Sequence, residues 1–485
     1  MSPGNSRSRS WIQGKLWSQQ EPCLAAASLR QCLSVLRRSL GPYKEVLGTG
    51  NQSVSLSSTS GLDGYGEFLE DIYVNDPEFN RWKADQSLLV EKTNPPPEIP
   101  VQGAAVPKVF SFLDAFDNDS RFFSALVADS IMRRLGEAAS IETLESTDLG
   151  PNCEQLEFVL RTSAMRRGDH SGIRIRLECA ASGAVIWTGQ RVLRADSLAE
   201  VDTVEVRKLM NFAVDAAIDR YNQIRPSKSA ESQSSALCFR AVSKMFTLID
   251  DELLESERML TMAGELDDRG IYHAWRAYLK IVQFGERIVT DREAVSDETQ
   301  ELIAHSLEQG ADNSMVLALA SYVQSVIFKN YLAASELAEQ SLRISQINPL
   351  AWAFLGISKM HLGAVDDAFQ CTSYARKISG HGPQKYQINM LACQSAIVAG
   401  RFVDAMELAE LTVGMAPSYA PPKRYLAALL VNANRENDAI KVISDLKRLE
   451  PDFSFDQMTD PSYPASALRL SPLGDRLSDL SRRLT

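Results

Sequence analysis

Alanine recurs at positions 334, 368, 405 and 439, at spacings of 34, 37 and 34, and each copy leads an amphipathic stretch. Prolines 349, 417 and 451 keep the same measure, 68 and 34, and read as helix closers, while Gly363 and Gly400 fall in turns and Trp352, Leu355 and Gly356 open one unit. A small residue at a fixed period lets two helices approach closely. A helix–turn–helix unit of this length cannot bury its apolar face alone and must stack on its neighbours. Three units are legible from about 350 to 451 and a degenerate fourth from about 316 to 349, and the helical stretch 236–310 reads as further decayed repeats.

This period resembles the tetratricopeptide repeat. The resemblance implies an all-α solenoid over 236–455, followed by a tail at 456–485, and a protein or peptide partner held in the repeat groove.

At 485 residues the chain is long enough for about three domains of ~150 residues each. Two linkers are expected. The proline-bearing stretch "EKTNPPPEIPVQG" contains one at 96–103, and "RPSKSAESQSS" is the other, at 225–235. Between them, residues 104–224 mix strands and helices. "VPKVFSFL" (106–113) reads as a buried strand and 119–136 as a helix stopped by glycine. "GIRIRLECA" alternates, with Ile173, Ile175, Leu177 and Cys179 on one side and Arg174, Arg176 and Glu178 on the other, and Ser182-Gly183 turns it into a second strand. Residues 201–222 return to helix. With "PKVFSFLD" and 156–193, this segment resembles the TolB-amino-terminal-like module, which implies a small α/β domain ahead of the repeats.

The formal net charge of −11 argues against a whole molecule that binds polyanions, but residues 1–50 carry seven basic and two acidic side chains. A local basic patch still docks on phosphate, because exposed charges are screened beyond about 10 Å. A short helix is expected at 7–18, and a longer one from Pro22 to Leu40 with Leu29, Leu33, Leu36 and Leu40 on one stripe and Arg30, Gln31, Ser34, Arg37 and Arg38 opposite. Residues 44–58 read as a β-hairpin. Pattern alone fits either an ordinary solvated helix face or a helix presented to a DNA groove.

"RSRSWIQGKLWSQQEPCLAAASLRQCLSVLRRSLG" (7–41) resembles the winged-helix domain of bacterial antibiotic-regulatory-type (SARP-like) transcriptional activators, and 66–87 resembles the segment that follows the wing there. Only six residues precede Arg7, so a truncated winged helix is expected over 1–60, with a helical extension at 61–95. The resemblance implies a transcriptional regulator on double-stranded promoter DNA, with a homodimer possible in principle. Arg30, Gln31, Ser34, Arg37 and Arg38 would face the groove and Arg7, Arg9 and Lys44 the phosphates. The competing reading is a scaffold that binds protein through its repeats and carries a vestigial front end.

No catalytic chemistry is expected. Phosphate-loop and nucleophile-elbow patterns are missing, and the histidines at 170, 273, 305, 361 and 381 look isolated, so neither a metal nor a cofactor is anticipated. The cysteines, none in a C-x-x-C pair, read as buried thiols of a reducing compartment. With no signal peptide and no apolar run long enough to span a bilayer, the expectation is a cytoplasmic protein without membrane contact.

Overall fold

A computed structural model describes residues 6–18, 20, 22–39, 47–50, 52–56, 79, 108–115, 118–145, 157–168, 170–180, 182–194, 203–223, 226, 229–286, 288 and 292–482. The chain divides into two compact units, Met1–Pro97 and Glu98–Thr485.

In the first unit, strand β1 (Ser6–Ser8) leads into α1 (Arg9–Leu16), then α2 (Pro22–Ser39) and the hairpin β2 (Leu47–Thr49) and β3 (Ser53–Leu56). The sheet runs β1-β3-β2, all antiparallel, with Arg7 opposite Val54. Sequence pattern misses β1, because "SRS" has no strand propensity of its own and is extended only by pairing with β3. Ser8 then caps α1, its Oγ accepting the Trp11 amide at 3.2 Å. The leucine stripe of α2 is buried at Leu29, half-buried at Leu33 and open at Leu36, and Leu40 lies outside the described residues. The cause is length: α1, at about 12 Å, packs along less than half of an α2 about 27 Å long. The 61–95 extension, Phe79 excepted, and the 96–103 linker also lie outside the described residues.

The second unit opens with a five-stranded sheet, order β5-β4-β6-β7-β8, from β4 (Lys108–Ala115), β5 (Glu142–Glu145), β6 (Phe158–Arg167), β7 (His170–Cys179) and β8 (Val185–Arg194). β4 pairs in parallel with β5 and β6, and the other pairs are antiparallel. α3 (Asn118–Ala138) makes the β4–β5 crossover, and α4 (Val204–Gln223) covers β7 and β8. The alternation in β7 holds: Ile173, Ile175, Leu177 and Cys179 are buried, while Arg174 and Arg176 are exposed.

Among the described residues, six helical hairpins follow. They are α5 (Ala230–Met245) with α6 (Asp250–Leu266), α7 (Gly270–Gly285) with α8 (Arg292–Gly310), α9 (Ser314–Val326) with α10 (Tyr331–Ile344), α11 (Pro349–His361) with α12 (Val365–Ile378), α13 (Lys385–Val398) with α14 (Phe402–Met415), and α15 (Ala420–Asn432) with α16 (Glu436–Leu449). The expected linker at 225–235 is helix from Ala230 onward, capped by Ser229, and Ser232, Ser234 and Ser235 are buried. Serine-rich composition suggested solvated chain, but small hydroxyls pack well when they bond to nearby carbonyls, as Ser235 Oγ does to Ser140 O at 3.3 Å.

The period shows itself twice in the backbone. Ala334, Ala368, Ala405 and Ala439 are all fully buried at the helix crossings. Five residues before each, Lys329, Gly363, Gly400 and Asn434 have φ of 53°, 82°, 69° and 57°, the left-handed turn that joins the two helices of a hairpin. Pro349 does not close a helix. It occupies the first turn of α11 behind Asn348, whose side chain accepts the Leu350 and Ala351 amides at 3.2 and 3.4 Å. Pro383 stands midway between Pro349 and Pro417 and completes the 34-residue series ahead of α13.

The α/β layer clamps the array at these joints. Asn211 of α4 donates to the Ile347 and Ile378 carbonyls, both at 2.9 Å, and the Asp215 carboxylate accepts the His381 and Gly382 amides at 2.8 and 2.9 Å. A Cβ at Gly380 would run into that carboxylate, so only glycine fits there. Of the expected tail at 456–485, residues 456–482 are structured and 483–485 lie outside the described residues. The segment forms a 3-10 turn (Phe455–Thr459), α17 (Ser466–Leu470) and α18 (Leu477–Arg482), packed on α13 and α15, with Met458, Leu468 and Leu480 buried. No helix among the described residues is long and apolar enough to cross a membrane.

Candidate interaction site

α9, α11, α13 and α15 are buried nearly all round, while α10, α12, α14 and α16 bury one face only. The first helices therefore form an inner row. Their facing side chains are largely aromatic: Tyr322 stacks on Phe354 with centroids 4.2 Å apart, and Tyr386 meets Tyr419 edge-on at 5.1 Å. Tyr278 of α7 hydrogen-bonds Gln387 of α13, and Tyr386 donates to the Phe246 carbonyl at 3.2 Å. Helices three hairpins apart thus touch across the row.

Beside this aromatic cluster lies a cavity of about 380 Å³, lined by the ends of α7, α9, α11, α13 and α15 on one side and by residues 461–470 on the other. Its charged groups are Glu286, Lys329, Arg424 and Arg469. Arg424 is fully buried. Its Nε donates to Glu450 at 2.7 Å, its Nη2 donates to the Gly285 carbonyl at 3.0 Å, and Tyr463 donates to the other Glu450 oxygen at 2.7 Å. The guanidinium also sits 5.2 Å over the Tyr463 ring. Burial pushes the Glu286 carboxyl up to about 7, against the pull of Arg424 and of the Ala420 amide at the α15 start. Burial, and then Lys329, push His361 down to about 4, where its ring lies flat on Tyr331 at 4.3 Å.

The residues chosen from sequence lie elsewhere. Arg30, Gln31, Ser34, Arg37 and Arg38 are exposed on α2. Arg7 lies over the Trp11 ring at 4.9 Å, and Arg9 Nε donates to the Gly50 carbonyl at 2.8 Å, tying α1 to the hairpin turn. Lys44 lies outside the described residues. The isolated-histidine reading is corrected at two positions. His273 and His305 both bring Nε2 to one oxygen of Asp268, at 2.9 and 2.7 Å, because α7 and α8 pack together. The cysteine reading is corrected at Cys23 and Cys32, which are exposed on α2; Cys179, Cys238, Cys371 and Cys393 are buried free thiols.

No protein-family model and no curated protein matches this chain. Among solved structures it is similar to YrrB, described as a TPR protein with an unusual peptide-binding site, at 15% identity over 40% of this chain and 93% of that one, with a TM-score of 0.26. Pseudomonas aeruginosa PilF gives 14% identity, 46% and 95% coverage and a TM-score of 0.32. Yeast Tom70 gives 12%, 57% and 60%, and 0.28. The class, a tetratricopeptide-like helical solenoid behind an α/β layer, rests on the hairpins, the buried alanines and the left-handed turns of the chain itself.

Proposed function

We propose that this chain is a non-catalytic scaffold that binds a segment of another protein along the inner row of its repeat array. The observation that carries this reading is the cavity, concave and aromatic with a few placed polar groups. Residues 461–470 illustrate what such a wall accepts: a Pro-flanked tyrosine laid on Arg424, with the Ala467 amide donating to the Tyr425 hydroxyl. A partner of matching chemistry offers an extended stretch with an aromatic side chain and free backbone donors. Peptides selected from a random displayed library against the full chain should bind about tenfold more weakly to Gln394→Ala and to Tyr331→Ala. If selection yields no binder, or binders indifferent to both changes, the reading fails.

For the amino-terminal unit we infer duplex DNA as the ligand. The inference is supported by the five polar side chains exposed on α2, in a unit that also holds a three-stranded antiparallel sheet. Replacing Arg37 and Arg38 with alanine should lower affinity for duplex DNA and flatten its salt dependence by a slope near 0.9 per lost phosphate contact. An unchanged slope removes this reading and leaves the scaffold standing.

A further inference from the structure

The second hairpin and the connection leading into it gather three donors, two of them five residues apart and the third 37 residues from the first. Asp268 lies in the connection between α6 and α7, His273 in the first turn of α7 and His305 near the end of α8. The two imidazole Nε2 atoms and a carboxylate oxygen all lie within 4.8 Å of one another. The rings stand edge to face, centroids 4.5 Å apart. Two glycines build this arrangement. A Cβ at Gly270 would strike the Ser306 carbonyl, so glycine lets α7 start against the backbone of α8 and sets His273 beside His305. A Cβ at Gly264 would press on His273 Cε1 at 3.0 Å, so glycine leaves room for the ring.

We propose that Asp268, His273 and His305 form a site for a divalent transition-metal ion of the zinc class, with its remaining position open to solvent. Two imidazole nitrogens and one carboxylate oxygen suit that class, whereas magnesium and calcium prefer all-oxygen sets. The two rings present the same nitrogen to one point, and small rotations open the donors around an ion at about 2.0–2.2 Å. His273 is largely shielded, its side chain 15% exposed, whereas Asp268 is 55% exposed and leaves the outer side free for water. A bound ion would join the 267–269 connection and α7 to α8 in one cluster. That hairpin is where the repeat spacing departs most from 34 residues: α7 begins 44 residues before α9.

The full chain, stripped with chelator and titrated with Zn²⁺ alone in a calorimeter, should bind one equivalent. Co²⁺ in its place should give the visible absorption of a four-coordinate nitrogen–oxygen set. His305→Ala and Asp268→Asn should each weaken binding at least about tenfold, and His381→Ala, outside the cluster, should not. Asp268→Asn keeps the shape of an exposed side chain, so its thermal unfolding without metal should match the parent, while added Zn²⁺ should raise the parent's melting temperature only. Absence of one-to-one binding overturns the site, as does binding undiminished in both variants, which would place the ion on other residues such as the exposed Cys23 and Cys32.

Discussion

Glu286 shows how a single residue ties the array to solution conditions. Its carboxyl holds a proton in the fold up to about 7, whereas the unfolded chain releases it near the ordinary 4.5. The folded state binds more protons across that window, so its stability falls as pH rises from 4.5 toward about 7 and is flat above. Glu286→Gln removes that slope, and urea midpoints measured at both ends of the window should show it. His361 acts in the opposite sense. Held neutral down to about 4 instead of 6.5, it costs stability as pH falls through that range, and His361→Phe should remove the acid-side loss while keeping the contact with Tyr331. The two slopes partly cancel in the parent, so each variant reveals what the other conceals.

At the scale of the element, Gly356 sets two effects against each other. In a helix interior, alanine is favoured over glycine by about 1 kcal/mol. Here a Cβ would stand 2.5 Å from Thr372 Cγ2 and 2.9 Å from the Ala368 carbonyl, at the crossing of α11 and α12. Overpacking a close crossing costs about 1–3 kcal/mol, so Gly356→Ala should lower the denaturant midpoint despite its propensity. Such contacts explain what was legible in the sequence. Ala334, Ala368, Ala405 and Ala439 are small because the crossings demand it, and Gly363 and Gly400 are glycine because the turn is left-handed. Lys329 and Asn434 adopt the same turn without glycine, so composition hides them. Strand β1 owes its shape to β3, and the expected linker is helix from Ala230 because buried serines look like solvated ones in sequence. The pairs that matter most chemically stayed invisible. Arg424 with Glu450, and His305 with Asp268, are separated along the chain by 26 and 37 residues, and only packing joins them.

For the molecule as a whole, the segment after α16 packs on α13 and α15 and closes one side of the cavity. Tyr463 holds that segment through Glu450, a buried carboxylate whose other oxygen takes the Arg424 guanidinium; its donors include the Tyr463 hydroxyl. Tyr463→Phe removes one of them, at a cost of about 1–3 kcal/mol, and amide exchange should quicken first in Phe455–Thr459 and Ser466–Leu470. On the scaffold reading proposed above, an incoming chain would lie against this segment, because residues 461–470 line the cavity it would enter. For a guest that needs more room than the cavity offers, the apparent dissociation constant would equal the intrinsic one divided by the fraction of molecules in which that segment has lifted. Firm anchoring of the segment would then favour guests small enough to fit the cavity as it stands.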